Sequence, residues 1–239
     1  MQCQNNLKQQ GLALLAFHDR SNKFPFGLYG GLDITKGDPC NALYTDDGYS
    51  WAVALLPNLE EQSVYDLIKP DWKPGVFARA FKAGIKLLPG GDTQIGIFRC
   101  PSSELASHAP DSNQFSGGYA TSDYKACNGL GDRGMFWKPC DGVKYAKGEV
   151  VVRIKDVTDG LSNTIALGES SYYRLPLDWP IWFGAPRVND ATLFKTSLPS
   201  VINCAMSPKS PENLKMGGTG PVDDDCAFSW HNGGAYFSF

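Results

Sequence analysis

The chain has 239 residues, 26 of them Gly and 16 Pro, and so many residues that interrupt regular structure exclude a coiled coil or an all-helical bundle. A net charge of −3, with no basic tract, lacks the electrostatic footprint of nucleic-acid binding, so no nucleic-acid partner is expected. Aromatic residues at 12% and charged residues at 20% are the balance of an ordered, sheet-bearing globule.

At the N-terminus, Cys3, Leu7, Gly11, Leu14, Leu15 and His18 fall within one arc of about 120° when residues advance by 100°. This predicts a helix over 1–20 that docks one face on a body, with His18 a satisfied core histidine. The helix ends by Asn22, because Pro25 biases Phe24 away from helical angles and Gly27, Gly30 and Gly31 mark loop. Neither an N-cap nor a capping box opens it, so the start reads as a truncation.

Residues 50–68 space their apolar side chains nearer 3.6 than 2, predicting two short helices kinked near Pro57. A helical turn is expected over 76–88, weakened by Gly84. Beyond it the sequence turns mostly β. The expected strands begin at Ile95 and cover 119–126, 150–154 and 164–169, followed by a terminal hairpin of 227–230 with 235–239. The hairpin turn is His231-Asn232-Gly233-Gly234, residue types that tolerate positive φ. Residues 197–221, rich in Pro and Ser, read as a long surface loop.

The seven cysteines are Cys3, Cys40, Cys100, Cys127, Cys140, Cys204 and Cys226, and none forms the Cys-x-x-Cys knuckle that structural zinc favours. Scattered cysteines in a chain of this composition point to disulfides and an exported protein, with buried cytosolic thiols as the alternative. No apolar run approaches the roughly 18 residues of a membrane span, and no secretory signal is present. Any targeting segment is therefore expected to lie outside the sequence.

Only three histidines, His18, His108 and His231, are available to activate a nucleophile, and there is no Gly-x-Ser-x-Gly elbow. Gly217, Gly218 and Gly220 precede Pro221 rather than a helix, so they form no phosphate cradle. A non-enzymatic role is expected, with no cofactor required. Calcium is the one cation the acidic loops suggest. Asp223, Asp224 and Asp225 could converge as carboxylate ligands, or form a solvated turn. Asp46-Asp47 and the 156–159 segment are weaker versions of the same pattern. In the aromatic stretch 172–183, Tyr173, Trp179 and Trp182 either wall a groove for a glycan or other small ligand, or pack the core beneath a Pro-rich loop.

Five segments in order resemble one family: MQCQNNLKQQGLALLAFHD with FPF, SWAVALLPNLEEQSVYD, FRCPS, DVTDGLSNTIALGE and FSWHNGGAYFSF. The chain is similar to bacterial prepilin-like secreted proteins with a prepilin cleavage and methylation segment, a large domain of unknown function and a C-terminal His-to-Asp-Gly signature. Such proteins are also grouped with extracellular solute-binding proteins. The resemblance implies a single pilin-like α+β head over 1–239, in which the N-terminal helix packs on an antiparallel sheet carrying a loop-rich insertion. It also implies an upstream apolar half-helix in the inner membrane, like subunits or other pilins as partners through that helix, and an Asp-Gly falling just beyond Phe239. Type IV pilins and type II secretion pseudopilins are the structural class implied, and an extracellular solute- or glycan-binding module is the alternative. In the family the helix cysteine and the Cys-Pro-Ser cysteine occur together, which implies a Cys3–Cys100 bridge. Cys127 with Cys140 and Cys204 with Cys226 are then the local pairs, leaving Cys40 free.

Overall fold

The computed structural model describes residues 1–30, 47–73, 75–113, 116–129, 134–136, 151–171, 179–186, 192–194, 227, 229–231 and 235–239. Helix α1 (Gln2–Ser21) ends as its sequence demands: Asn22 takes the left-handed conformation, and its N–H reaches back to His18 O. The chain then enters β1 (Leu28–Gly30) and, later, β2 (Gly48–Ser50), which runs straight into α2 (Trp51–Leu55). Ser50 makes that transition, because its Oγ accepts the Ala52 N–H as an N-cap. A 3₁₀ turn containing Pro57 separates α2 from α3 (Gln62–Ile68), as the Pro position predicts. Helix α4 (Val76–Lys82) stops two residues before Gly84, which adopts positive φ.

Two sheets follow. In the first, β1, β2 and β5 (Gly184–Ala185) are antiparallel in that order. In the second, the order is β6 (Leu193–Phe194), β3 (Tyr124–Cys127), β4 (Leu167–Glu169) and β7 (Phe237–Ser238). Strand β3 is antiparallel to β4 and parallel to β6, and β7 is antiparallel to β4. The result is mixed helix and sheet, consistent with the α+β class, but the sheet beneath α1 is mixed and not antiparallel as expected, because β6 joins β3 in parallel. Helix α1 crosses the second sheet on the face that carries Tyr124 and touches β4, β7 and the 3₁₀ turn Gly96–Phe98.

One cluster of buried side chains runs from α1 through α2 to strands of both sheets. Its centre is aromatic. Trp182 stacks on Phe98 at 5.9 Å and meets Phe183 edge-on, while Phe98 meets Trp51 edge-on. At ~25 cal/mol per Å², burying a Trp of about 200 Å² contributes roughly 5 kcal/mol before entropy is charged against it. The polar edges of these rings are satisfied: Trp182 Nε1 donates to Thr93 O at 3.0 Å and Trp51 Nε1 to Thr192 O at 3.2 Å.

Several expectations are corrected. The segment beginning at Ile95 is a 3₁₀ turn over Gly96–Phe98, not a strand, because Gly96 offers no side chain to pack and Phe98 folds back to bond Ile95 O. Described residues of 150–154 form no strand; the chain there leads into a 3₁₀ turn at Ile154–Asp156, capped by Arg153, whose N–H the Asp156 carboxylate accepts. Strand β3 is shorter than the stretch 119–126, its first part reduced to isolated bridges at Ala120 and Thr121. Strand β7 pairs with β4, and the described residues of 227–230 carry no strand, so the terminal pairing is with the sheet. Residues 232–234 and 197–221 lie outside the described residues.

The pairing of β2 with β5 requires glycine at 184, since a Cβ there would stand 2.3 Å from Gly48 O and 2.9 Å from Phe77. Gly184→Ala is therefore expected to cost about 1–3 kcal/mol in urea unfolding. A variant as stable as the native protein would contradict this packing.

Candidate functional site

Helix α1 is attached to the head by a bond and a row of polar contacts. Cys3 and Cys100 form a disulfide with Cα atoms 5.0 Å apart, joining the first turn of the helix to the Cys-Pro-Ser loop. One turn on, Asn6 Nδ2 donates to Arg99 O at 2.8 Å, and a further turn on Gln10 Nε2 donates to Ile97 O at 2.8 Å. Tyr124 Oη, which also lies 3.4 Å from Asn6 Nδ2, donates to Cys3 O at 3.3 Å, and burial pushes its phenol well above the usual range. The buried face of α1 is thus Cys3, Asn6, Leu7, Gln10, Ala13, Leu14, Phe17 and His18. It is rotated from the expected arc: Asn6 and Gln10 are inside and Leu15 is 39% exposed. Both amides are tolerated inside because each donates to a backbone carbonyl. His18 is buried as expected, its Nε2 accepting from Ile154 N at 3.2 Å and its ring lying against Phe24, but it is satisfied at one nitrogen only, since its buried Nδ1 has no hydrogen-bond partner among the described residues.

Acidic and basic groups gather behind the disulfide. Asp123, just before β3, is buried and accepts from Cys100 N at 2.8 Å and from Ser103 Oγ, while Arg99 Nε stands 3.5 Å from its Oδ2. Burial pushes the Asp123 carboxyl above its ordinary value, although Arg99 and these hydrogen bonds pull the other way. Glu169, at the end of β4 and only 2% exposed, accepts from Ser229 Oγ at 2.6 Å and Tyr236 N at 3.1 Å, both through Oε2. Its Oε1 accepts no hydrogen bond among the described residues and lies 3.2 Å from His231 Nε2. The same His231 nitrogen is 3.4 Å from Cys100 Sγ, and the ring meets Tyr236 edge-on. Cys3, Cys100, Glu169 and His231 therefore converge on one point, where their ligand atoms all lie within 4.8 Å of one another.

A second concavity, a cleft of about 350 Å³, opens beside α4 between Phe77, Phe81, Ile85 and Tyr119, with Lys86 and Asp111 on its rim. Asp47 lies on its floor but is occupied, its two carboxylate oxygens accepting Phe77 N at 2.8 Å and Ala78 N at 2.9 Å to cap α4. Asp156 is likewise used as a cap, accepting Arg153 N at 2.9 Å. Asp223, Asp224, Asp225 and Tyr173 lie outside the described residues, as do Cys40, Cys140, Cys204 and Cys226. Cys127 is buried on β3. Trp179 and Trp182 are buried, and Trp182 packs at the centre of the aromatic core. His108 bridges Ser107 and Asp92 O on the surface.

A family model named SBP_bac_10 matches residues 1–239. The chain belongs to that family, described as a protein of unknown function (DUF1559). No curated protein and no solved structure matches the chain. SBP_bac_10 membership over the whole length agrees with the resemblance to a family of unknown function grouped with solute-binding proteins, and it assigns no residue a role.

The raised Asp123 carboxyl fixes a pH dependence. A carboxyl that holds its proton more tightly folded than unfolded takes stability away as pH climbs from the unfolded value, about 3.9, through the folded one. Asp123→Asn removes that contribution while leaving an oxygen to accept from Cys100 N. Urea-unfolding free energies between about pH 4 and about pH 7 are expected to show the variant gaining on the native protein as pH rises. A difference that shrinks with pH would contradict the burial argument.

Proposed function

We propose that the chain is a non-enzymatic, exported, pilin- or pseudopilin-like structural subunit, displaying a loop-rich head at the cell surface or in the periplasm. The observation that carries this reading is the two-sidedness of α1. One face is fastened to the head by the disulfide, Asn6 and Gln10. The opposite side leaves Leu12 57% and Leu15 39% exposed, beside an apolar groove of about 400 Å³ that also includes Phe239. A fastened helix with two leucines exposed on its outer side suits packing against the corresponding helix of a like subunit. Among the described residues no helix is long and apolar enough to cross a membrane; membrane attachment in this reading belongs to the residues upstream of α1.

Full-length protein, upstream residues included, is expected to be processed by prepilin peptidase and to sediment with filaments. Replacing Leu12→Asp and Leu15→Asp together is expected to abolish sedimentation with little change in the thermal midpoint, because both positions are on the surface. Full-length protein that stays unprocessed and soluble would overturn the proposal.

The cleft beside α4 favours a second reading, a solute- or glycan-binding module, since apolar and aromatic walls with a charged rim are the usual form of a small-molecule site. Thermal-shift screening against glycans, amino acids and Ca²⁺ separates the two readings. A scaffold shows no ligand-specific rise, whereas a binding module shows one that Phe81→Ser removes.

A further inference from the structure

The convergence of Cys3, Cys100, Glu169 and His231 has a use beyond fastening the helix. We propose that, once the Cys3–Cys100 bond is reduced, these four side chains form a tetrahedral site for a thiophilic divalent cation, zinc in the first instance. Two thiolates, one imidazole and one carboxylate are a donor set of the kind zinc takes, and the two sulfurs select against calcium and magnesium. A tetrahedral ion with bonds of about 2.0–2.3 Å keeps its ligands roughly 3.3–3.8 Å apart. His231 Nε2 already stands 3.2 Å from Glu169 Oε1 and 3.4 Å from Cys100 Sγ. The two sulfurs must separate, and the other ligand atoms, all already within 4.8 Å of one another, close on the ion.

Glu169 supplies the independent sign of a site. Its side chain is buried and its Oε2 is fully engaged by Ser229 and Tyr236, which fixes the carboxylate in place. Oε1 is buried, accepts no hydrogen bond among the described residues and is turned to the same point as His231 Nε2. With His231 neutral and its proton on Nδ1, this oxygen faces a lone pair and not a donor, which is costly in a purely structural role, and a bound cation removes that cost. His231, with its side chain 21% exposed, gives solvent and ions a way in.

The chemistry balances. A dithiol reductant delivers two electrons and two protons to the Cys3–Cys100 bond and is itself oxidised to a disulfide. Cation binding then releases both thiol protons to solvent as two sulfur–metal bonds form, with the His231 proton held on Nδ1 so that Nε2 offers its lone pair. A disulfide oxidant takes the two electrons back and, with two protons from solvent, becomes a dithiol as the Cys3–Cys100 bond re-forms and the ion leaves, so the fastening of α1 is covalent in one redox state and metal-mediated in the other.

The test is anaerobic titration of the reduced, folded protein with Co²⁺, followed by displacement with Zn²⁺. Expected are thiolate-to-cobalt charge-transfer absorption and the strong visible bands of a tetrahedral ion, absent from the oxidised protein. Cys3→Ser is expected to lose the two-thiolate spectrum. His231→Ala and the near-isosteric Glu169→Gln are each expected to weaken Co²⁺ affinity by about tenfold or more, with circular dichroism confirming that each variant is folded. A folded, reduced protein without the cobalt bands would overturn the proposal. So would bands that survive Cys3→Ser or are indifferent to Glu169→Gln, since those would come from other cysteines.

Discussion

The disulfide between Cys3 and Cys100 is the constraint on which the placement of everything else in the N-terminal half depends. It closes a loop with a sequence separation of 97, for which the chain-entropy account gives about 4–5 kcal/mol at 25 °C. Helix α1 needs such help because its buried face is not a continuous apolar stripe. Asn6 and Gln10 interrupt it, and each brings the modest net gain of a hydrogen bond, about 1 kcal/mol, rather than the larger gain of a buried Leu. Carbonyls from Ile97 and Arg99 receive those amides only when the 3₁₀ turn and the Cys-Pro-Ser loop stand beside the helix. The covalent bond sets that register, and the polar contacts then read it.

The same junction explains why charge is kept inside. Asp123 turns to the Cys100 N–H and to Ser103, orienting the loop that carries the cysteine, and Arg99 partly offsets its burial. Glu169 holds the C-terminal part of the chain to β4 through Tyr236 N and Ser229. First helix, central loop and last strand thus meet within a few ångströms of one disulfide. A protein whose helix transmits load, as in the subunit reading, has its three distant segments tied at the point where the helix enters the head.

Much of this was legible in the sequence, and what was not has identifiable causes. The end of α1 at Asn22, the Pro57 break and the stop before Gly84 were readable because each is decided by a local backbone preference. The Cys3–Cys100 pairing followed from family resemblance, since spacing alone leaves the partners of seven cysteines open. Asn6 and Gln10 carry no signal in a hydrophobic arc, which counts only apolar side chains. The 3-6-10-13-17 row they share with Cys3, Ala13 and Phe17 was nevertheless available in the sequence. Glu169 and Asp123 gave no signal as a pair, because the register of β3 against β4 brings Glu169 opposite Tyr124 from 45 residues away. Trp182 carries the same aromatic signature in a core as in a ligand groove, and only packing decides between them.

Hydrogen exchange along α1 tests the central claim most directly. With the Cys3–Cys100 bond intact, amides from Leu7 to Phe17 are expected to be protected as strongly as those of β3 and β4. After Cys3→Ser in metal-free buffer, α1 is expected to exchange through local opening while the β3–β4 pair keeps its protection. Equal protection of α1 with and without the bond would contradict the view that this disulfide holds the helix to the head.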